Sequence, residues 1–99
     1  MDTQHILFSH KGKHLSTRME GELFRHKIES AIERGENLRL DFKGVEVVSN
    51  SFADECFAKL IFSFDLFKVK EHTTFVNASP FIKAVIANSF KERLQALHA

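Results

Sequence analysis

Few residues in this chain are of types that do chemistry, and their spacing limits what they can do. Three acids, Asp41, Asp54 and Glu55, and one upstream guanidinium, Arg18, form a polar set. General acid–base catalysis or small-ligand binding would use such a set if the fold gathered it around a strand end. Ser51 stands just ahead of Asp54 and Glu55, in a pattern that starts a helix. Its hydroxyl reads as an N-cap or as a regulated group. The helix dipole would favour a phosphate of about −1.5 to −2 charges there, while Asp54 and Glu55 in the same first turn would repel it. Arg18, Glu22, Arg25 and His26 fall at i, i+4, i+7 and i+8, so they share one helix face. That row is either an exposed ion-pair ladder or an anion or partner contact built from Arg18 and Arg25 and oriented by Glu22.

Other chemistries lack their residues. The six histidines (His5, His10, His14, His26, His72 and His98) are scattered without ligand spacing, so no metal is expected. Cys56, the sole cysteine, lies among apolar positions and should behave as a small hydrophobe. With four glycines and no nucleophile elbow, Walker loop or dinucleotide fingerprint, no cofactor is expected. A net charge of +1 without a basic block argues against a nucleic-acid partner. The most apolar run, Phe57 to Phe67, is broken by Lys59 and Asp65 and falls short of the ~20 residues that span a bilayer, so no membrane partner is expected either. The first residues lack a secretory pattern, and one cysteine cannot form an intrachain disulfide. The expected location is the cytoplasm.

These residues must be positioned by one domain, 1–99, since 99 residues leave no room for two. Eleven Phe with no Trp or Tyr should sit in the core or at a contact surface, because none has a polar handle. His5–Ser9 reads as a strand, followed by a turn at His10–Lys13. Thr17 and Glu20 form a capping box that opens a helix carrying Met19, Leu23, Phe24, Ile28, Ala31 and Ile32, stopped by Gly35. Asn37–Phe42 alternates as a strand and turns at Lys43-Gly44 into an extended piece with Val45, Val47 and Val48. A second helix is expected from Ser51 to about Phe64, with Asp54 at its N3 position and an apolar face wide enough to be covered on most sides. His72–Asn77 reads as a third strand. Ser79-Pro80 opens a last helix with Ile82, Val85, Ile86, Phe90, Leu94 and Leu97 on a stripe that a homodimer contact could cover. The β-α-β-α-β-α order predicts an α/β sandwich with a small, mostly parallel sheet packed by helices.

The segment LDFKGVEVVSNSFADE, Leu40–Glu55, resembles the strand, turn and helix start of STAS domains, the family that includes bacterial anti-anti-sigma factors. More closely it resembles a small STAS-like family of unknown function, for which Ser51-Phe52-Ala53-Asp54-Glu55 is the recognisable core and which the upstream helix with Arg18, Glu22 and Arg25 also fits. The resemblance implies a STAS-like α/β fold, and it covers roughly the middle two-thirds of the chain. It puts Asp41 on the strand-ending acid and Ser51 on the serine that is phosphorylated in anti-anti-sigma switches. Ser49 stands where those switches carry Asp, Asn50 where they carry the first Ser, and Phe52 where they carry a Gly that lets a partner approach. It further implies a non-enzymatic, regulatory interaction domain of a bacterium. Such a domain would present Lys43–Glu55 to a protein partner such as a histidine-kinase-like ATPase of the anti-sigma type. The alternative is a small-ligand-binding or enzymatic domain using the Asp/Glu/Arg set.

Overall fold

The structure is a computed structural model describing residues 2–98. Its elements are β1 (Thr3–Leu7), β2 (His14–Leu15), α1 (Arg18–Glu33), β3 (Asn37–Asp41), β4 (Val47–Val48), α2 (Asn50–Cys56), α3 (Leu66–His72), β5 (Thr73–Val76) and α4 (Pro80–Leu97). Short 3-10 turns at Phe8–Lys11 and Ala58–Phe62 join them. The main sheet is parallel throughout in the order β1-β3-β5, with Ile6, Leu40 and Phe75 in register. A second parallel pair joins His14–Leu15 to Val47–Val48. The fold is therefore the mixed α/β arrangement with parallel sheets packed by helices that the element order predicts.

The sheet has two unlike faces. Leu38 and Leu40 point from β3 into the core, whereas Arg39 and its register neighbours His5 and Thr74 are exposed. Alternation along a strand produces this division when helices cover one face only. Over the covered face, Phe8, Phe24, Phe42, Phe52, Phe57 and Phe75 form a continuous aromatic cluster. Phe8 stacks on Phe42 at 4.7 Å between ring centroids, and Phe57 meets Phe75 edge-on at 5.3 Å. Rings without polar handles thus fill the core, as their composition predicts, but Phe62, Phe67 and Phe81 remain exposed.

Several element boundaries differ from the sequence expectation. The first strand is Thr3–Leu7 instead of His5–Ser9, because the chain turns at Phe8 to bury that ring. The expected second helix, Ser51 to about Phe64, is two pieces, α2 and the 3-10 turn. α3, absent from the sequence expectation, follows it, capped by Asp65, whose carboxylate accepts from the Lys68 N–H at 2.8 Å. Apolar residues recur through both segments, so hydrophobicity alone hid the breaks; Asp65 is the residue that marks the start of α3. The third strand begins at Thr73, and His72 closes α3. In α1, Met19 and Leu23 follow the helical spacing yet face solvent, at 77% and 51% exposure, while Gly21, Phe24, Ile28, Ala31 and Ile32 make the buried stripe.

Candidate functional site

α2 lies between α1 and α4, and two of its acids carry the densest charge network among the described residues. The positions follow from helix geometry: Asp54 and Glu55 are adjacent, so their side chains leave α2 about 100° apart and reach different neighbours. Glu55 is buried, with a side chain 6% exposed. Arg25 of α1, itself only 13% exposed, donates to Glu55 Oε2 at 2.6 Å and also to the Glu55 backbone carbonyl. Lys59 reaches Oε1 at 2.9 Å and Arg18 reaches it at 3.2 Å. Asp54 is gripped from both sides: Arg93 of α4 donates twice, at 2.6 Å to each oxygen, and Arg18 donates at 2.8 Å. Arg93 also lies over the Phe62 ring, 5.4 Å from its centroid.

Electrostatics fix the protonation of this network. Burial pushes the Glu55 carboxyl up, but the hydrogen bonds from Arg25, Lys59 and Arg18 outweigh it and bring the group down to about 2. The Arg93 hydrogen bonds, helped by Arg18 and opposed by partial burial, lower Asp54 to about 2. Both acids are carboxylates at neutral pH and neither has a proton to give. The arrangement is a clamp that fastens α1, α2 and α4 together.

The clamp corrects three sequence expectations. The row on α1 is not an exposed ladder, since Arg18 and Arg25 turn across to α2. Glu22 does not orient them: it is exposed, and its carboxylate lies 3.9 Å from the His26 ring. The acids also do not gather with Asp41. Asp41, the last residue of β3, accepts from the Asn77 side chain and the Lys43 N–H, each at 2.9 Å, and its other oxygen lies 2.8 Å from His5 Nε2. Those bonds, led by Asn77, lower Asp41 to about 2 and tie the end of β3 to the middle of β1 and to the residue that follows β5. No hydrogen bond joins the two networks among the described residues, so the single Asp/Glu/Arg cluster is two separate structural sets.

Ser51 is likewise corrected. The N-cap of α2 is Ser49, which accepts from the Phe52 N–H at 3.0 Å and donates to the Ser16 carbonyl at 2.9 Å. Ser51 is the second helical residue and is exposed, as is Asn50. Asp54 is consequently beyond the first turn, which holds no acid. Asp54 and Glu55 still follow Ser51 at i+3 and i+4 on the helix, but the repulsion expected against a phosphate there is weakened by the arginines that pair with both acids. Phe52 is fully buried in the aromatic cluster, so it offers no surface. Ser49→Ala should lower stability by about 1 kcal/mol and Ser51→Ala by less than about 0.5 kcal/mol; urea titration of the two variants separates the capping hydroxyl from the free one.

Sequence reasoning missed Arg93, Lys59, His5, Asn77 and Gly21. Lys59 was within reach, lying at i+4 from Glu55. Gly21 carried a signal too: a glycine inside an otherwise strong helical pattern marks a close approach, and here α2 passes directly against it. Arg93 and Asn77 make contacts more than thirty residues distant, for which local spacing has no signature. Cys56 is fully buried and its thiol is pushed up by that burial, in keeping with a small hydrophobe. Among the described residues no group of three or more His, Cys, Asp or Glu is placed to hold a metal, and no helix is long and apolar enough to cross a membrane.

Residues 20–83, from the first turn of α1 to the first turn of α4, match the family described as the STAS-like domain of unknown function (DUF4325). The chain belongs to this STAS-like family. No curated protein and no solved structure matches it. The matched span of the STAS-like domain contains Arg25, Glu55 and Lys59, so the buried half of the clamp lies within the family's extent. Arg18 and Arg93, which hold Asp54, lie outside that span.

Proposed function

We propose that this STAS-like domain is a non-enzymatic interaction module that presents the Lys43–Ser51 segment to a protein partner. The observation that carries the reading is the contrast within that region. The body of α2 is buried and clamped, whereas Lys43, Gly44, Glu46, Val47, Asn50 and Ser51 stand in solvent ahead of it. A rigid scaffold holding an exposed connecting segment is the usual physical form of a recognition surface. Val47 is 40% exposed, an apolar contact on an otherwise polar strip. The held carboxylates at Asp41, Asp54 and Glu55 support binding over proton-transfer chemistry, because groups lowered to about 2 are poor general acids or bases at neutral pH.

In this reading Ser51 is the point of control. Charge added there changes the potential of the surface without disturbing the cap, which Ser49 supplies. The partner is a protein, an anti-sigma-type ATPase by likeness to other STAS domains, and exchange follows a shift in its affinity for the two forms of the surface. The test uses the chain as bait in extract of its host with quantitative mass spectrometry. A partner retained by wild type and Ser51→Ala but reduced about tenfold by Val47→Glu and Ser51→Asp is the expected result. Equal capture by all four baits would overturn the assignment of the surface.

A further inference from the structure

α4 has a second side that the clamp does not use. Between α3 and α4, over the outer edge of β5, runs an open groove of about 720 Å³. Its floor is apolar, made by Val69, Phe75, Ile86, Phe90 and Leu94. Its polar residues are mostly of one sign: Lys70 on the α3 wall and Lys83 and Lys91 on the α4 wall are exposed, and no Asp or Glu lines it. None of the three lysines is in an ion pair among the described residues. The lining runs along α4 from Lys83 to His98, about 22 Å at the helical rise.

We propose that this groove receives an amphipathic helix of a partner protein, apolar on one side and flanked by Asp and Glu. Charge complementarity selects the acidic flanks, and the distribution of the charges selects a helix. Lys83 and Lys91 are two turns apart on one wall, about 12 Å, and Lys70 stands on the other. Cations spread along both walls match acids repeated along a helix, whereas one acyl chain brings a single head group to one end. A second copy of this chain is disfavoured, since pairing two such grooves would bring six lysines together without an acid among the lining residues. Helix-in-groove recognition supplies the apolar anchors at i, i+3, i+4 and i+7. This surface is separate from the Lys43–Ser51 segment, so either reading can fail without the other.

The experiment uses two fluorescein-labelled synthetic helical peptides of about 15 residues, with identical Leu anchors and either Glu or Lys flanks. Fluorescence anisotropy with the full chain should show saturable binding of the Glu peptide and at least tenfold weaker binding of the Lys peptide. K83E/K91E, with unchanged circular dichroism, should weaken the Glu peptide about tenfold and invert the preference, while Ser51→Asp leaves both unaffected. Equal affinity for both peptides, or no binding, would overturn the proposal. So would displacement of the Glu peptide by sodium palmitate below its micellar concentration, which assigns the groove to a lipid. A concentration-dependent dimer in sedimentation that the Glu peptide dissociates would assign it to self-association.

Discussion

Arg25→Ala should remove about 3 kcal/mol of folding stability, a large share of what a domain of this size possesses. Breaking a buried ion pair by deleting one partner costs about 3–5 kcal/mol, because the remaining charge keeps its desolvation penalty and loses its compensation. Glu55 is such a charge, and Arg25 serves both its Oε2 and its backbone carbonyl. The low end of the range applies here, since Lys59 and Arg18 still reach Oε1 in the variant. Glu55→Gln on its own leaves three cations facing a neutral amide, and the Arg25→Ala/Glu55→Gln double variant should be less damaged than the sum of the two singles. A urea double-mutant cycle measures that coupling. Purely additive losses would mean that the pair is a surface contact of little weight.

Gly21→Val should be comparably severe, at about 3 kcal/mol. A Cβ at position 21 would meet the Phe52 carbonyl oxygen at 3.0 Å, the Glu55 Cβ at 3.1 Å and the Cys56 backbone nitrogen at 3.2 Å. Two of those atoms are main chain and cannot swing aside, so α1 and α2 must separate. Gly21→Ala sets a helix-propensity gain of about 1 kcal/mol against the same contact, and the contact should win by about 1 kcal/mol. Thermal unfolding gives the order: wild type highest, Ala below it, Val lowest by more than about 10 °C. An alanine variant more stable than wild type would show that the helices are not in close contact there. Because separation also pulls Arg25 from Glu55, combining Gly21→Val with Arg25→Ala should cost less than the two losses added.

The same clamp sets the acid response. Asp41, Asp54 and Glu55 hold their charge down to about 2 in the fold, against 3.8 for Asp and 4.5 for Glu unfolded. Between those limits the unfolded chain binds more protons than the folded one, so stability rises with pH through that window. The contribution is complete above about pH 5 and disappears as the pH falls through 2. Urea midpoints collected from pH 7 to pH 2 should decline steeply only in the lower part of that range, and Arg25→Ala should flatten the decline.

What the sequence made legible was local or periodic. The Thr17 cap, the Gly35 stop and the Ser79-Pro80 opening are short-range patterns, and each is present: Thr17 accepts from Glu20 N, Gly35 has φ +76°, and Ser79 accepts from Ile82 N. The Glu20 carboxylate, however, accepts from the Thr17 hydroxyl and does not close the capping box on the Thr17 backbone N–H. The strand expected over Asn37–Phe42 followed from alternation and is present as Asn37–Asp41, and the parallel order followed from intervening helices. The pairing of β2 with β4 was hidden, because two-residue strands have no period to detect. The site was legible in its residue types and not in its partners. Arg18, Arg25, Asp54 and Glu55 stood out from spacing, yet their charge neutralisation depends on α4 returning Arg93 to Asp54 across the fold. The capping serine was displaced by two positions because Ser49 and Ser51 are both competent; tertiary context decided, through the Ser49 bond to the Ser16 carbonyl.

The most direct test of the clamp is a carbon-13 NMR pH titration of the Asp54 and Glu55 side-chain carboxyls. Two acids locked by four cations should titrate at about 2, well below their ordinary values. Midpoints at or above 4 would mean free carboxyls, and α2 would then be a loosely held helix in place of a fixed support for the Ser51 surface.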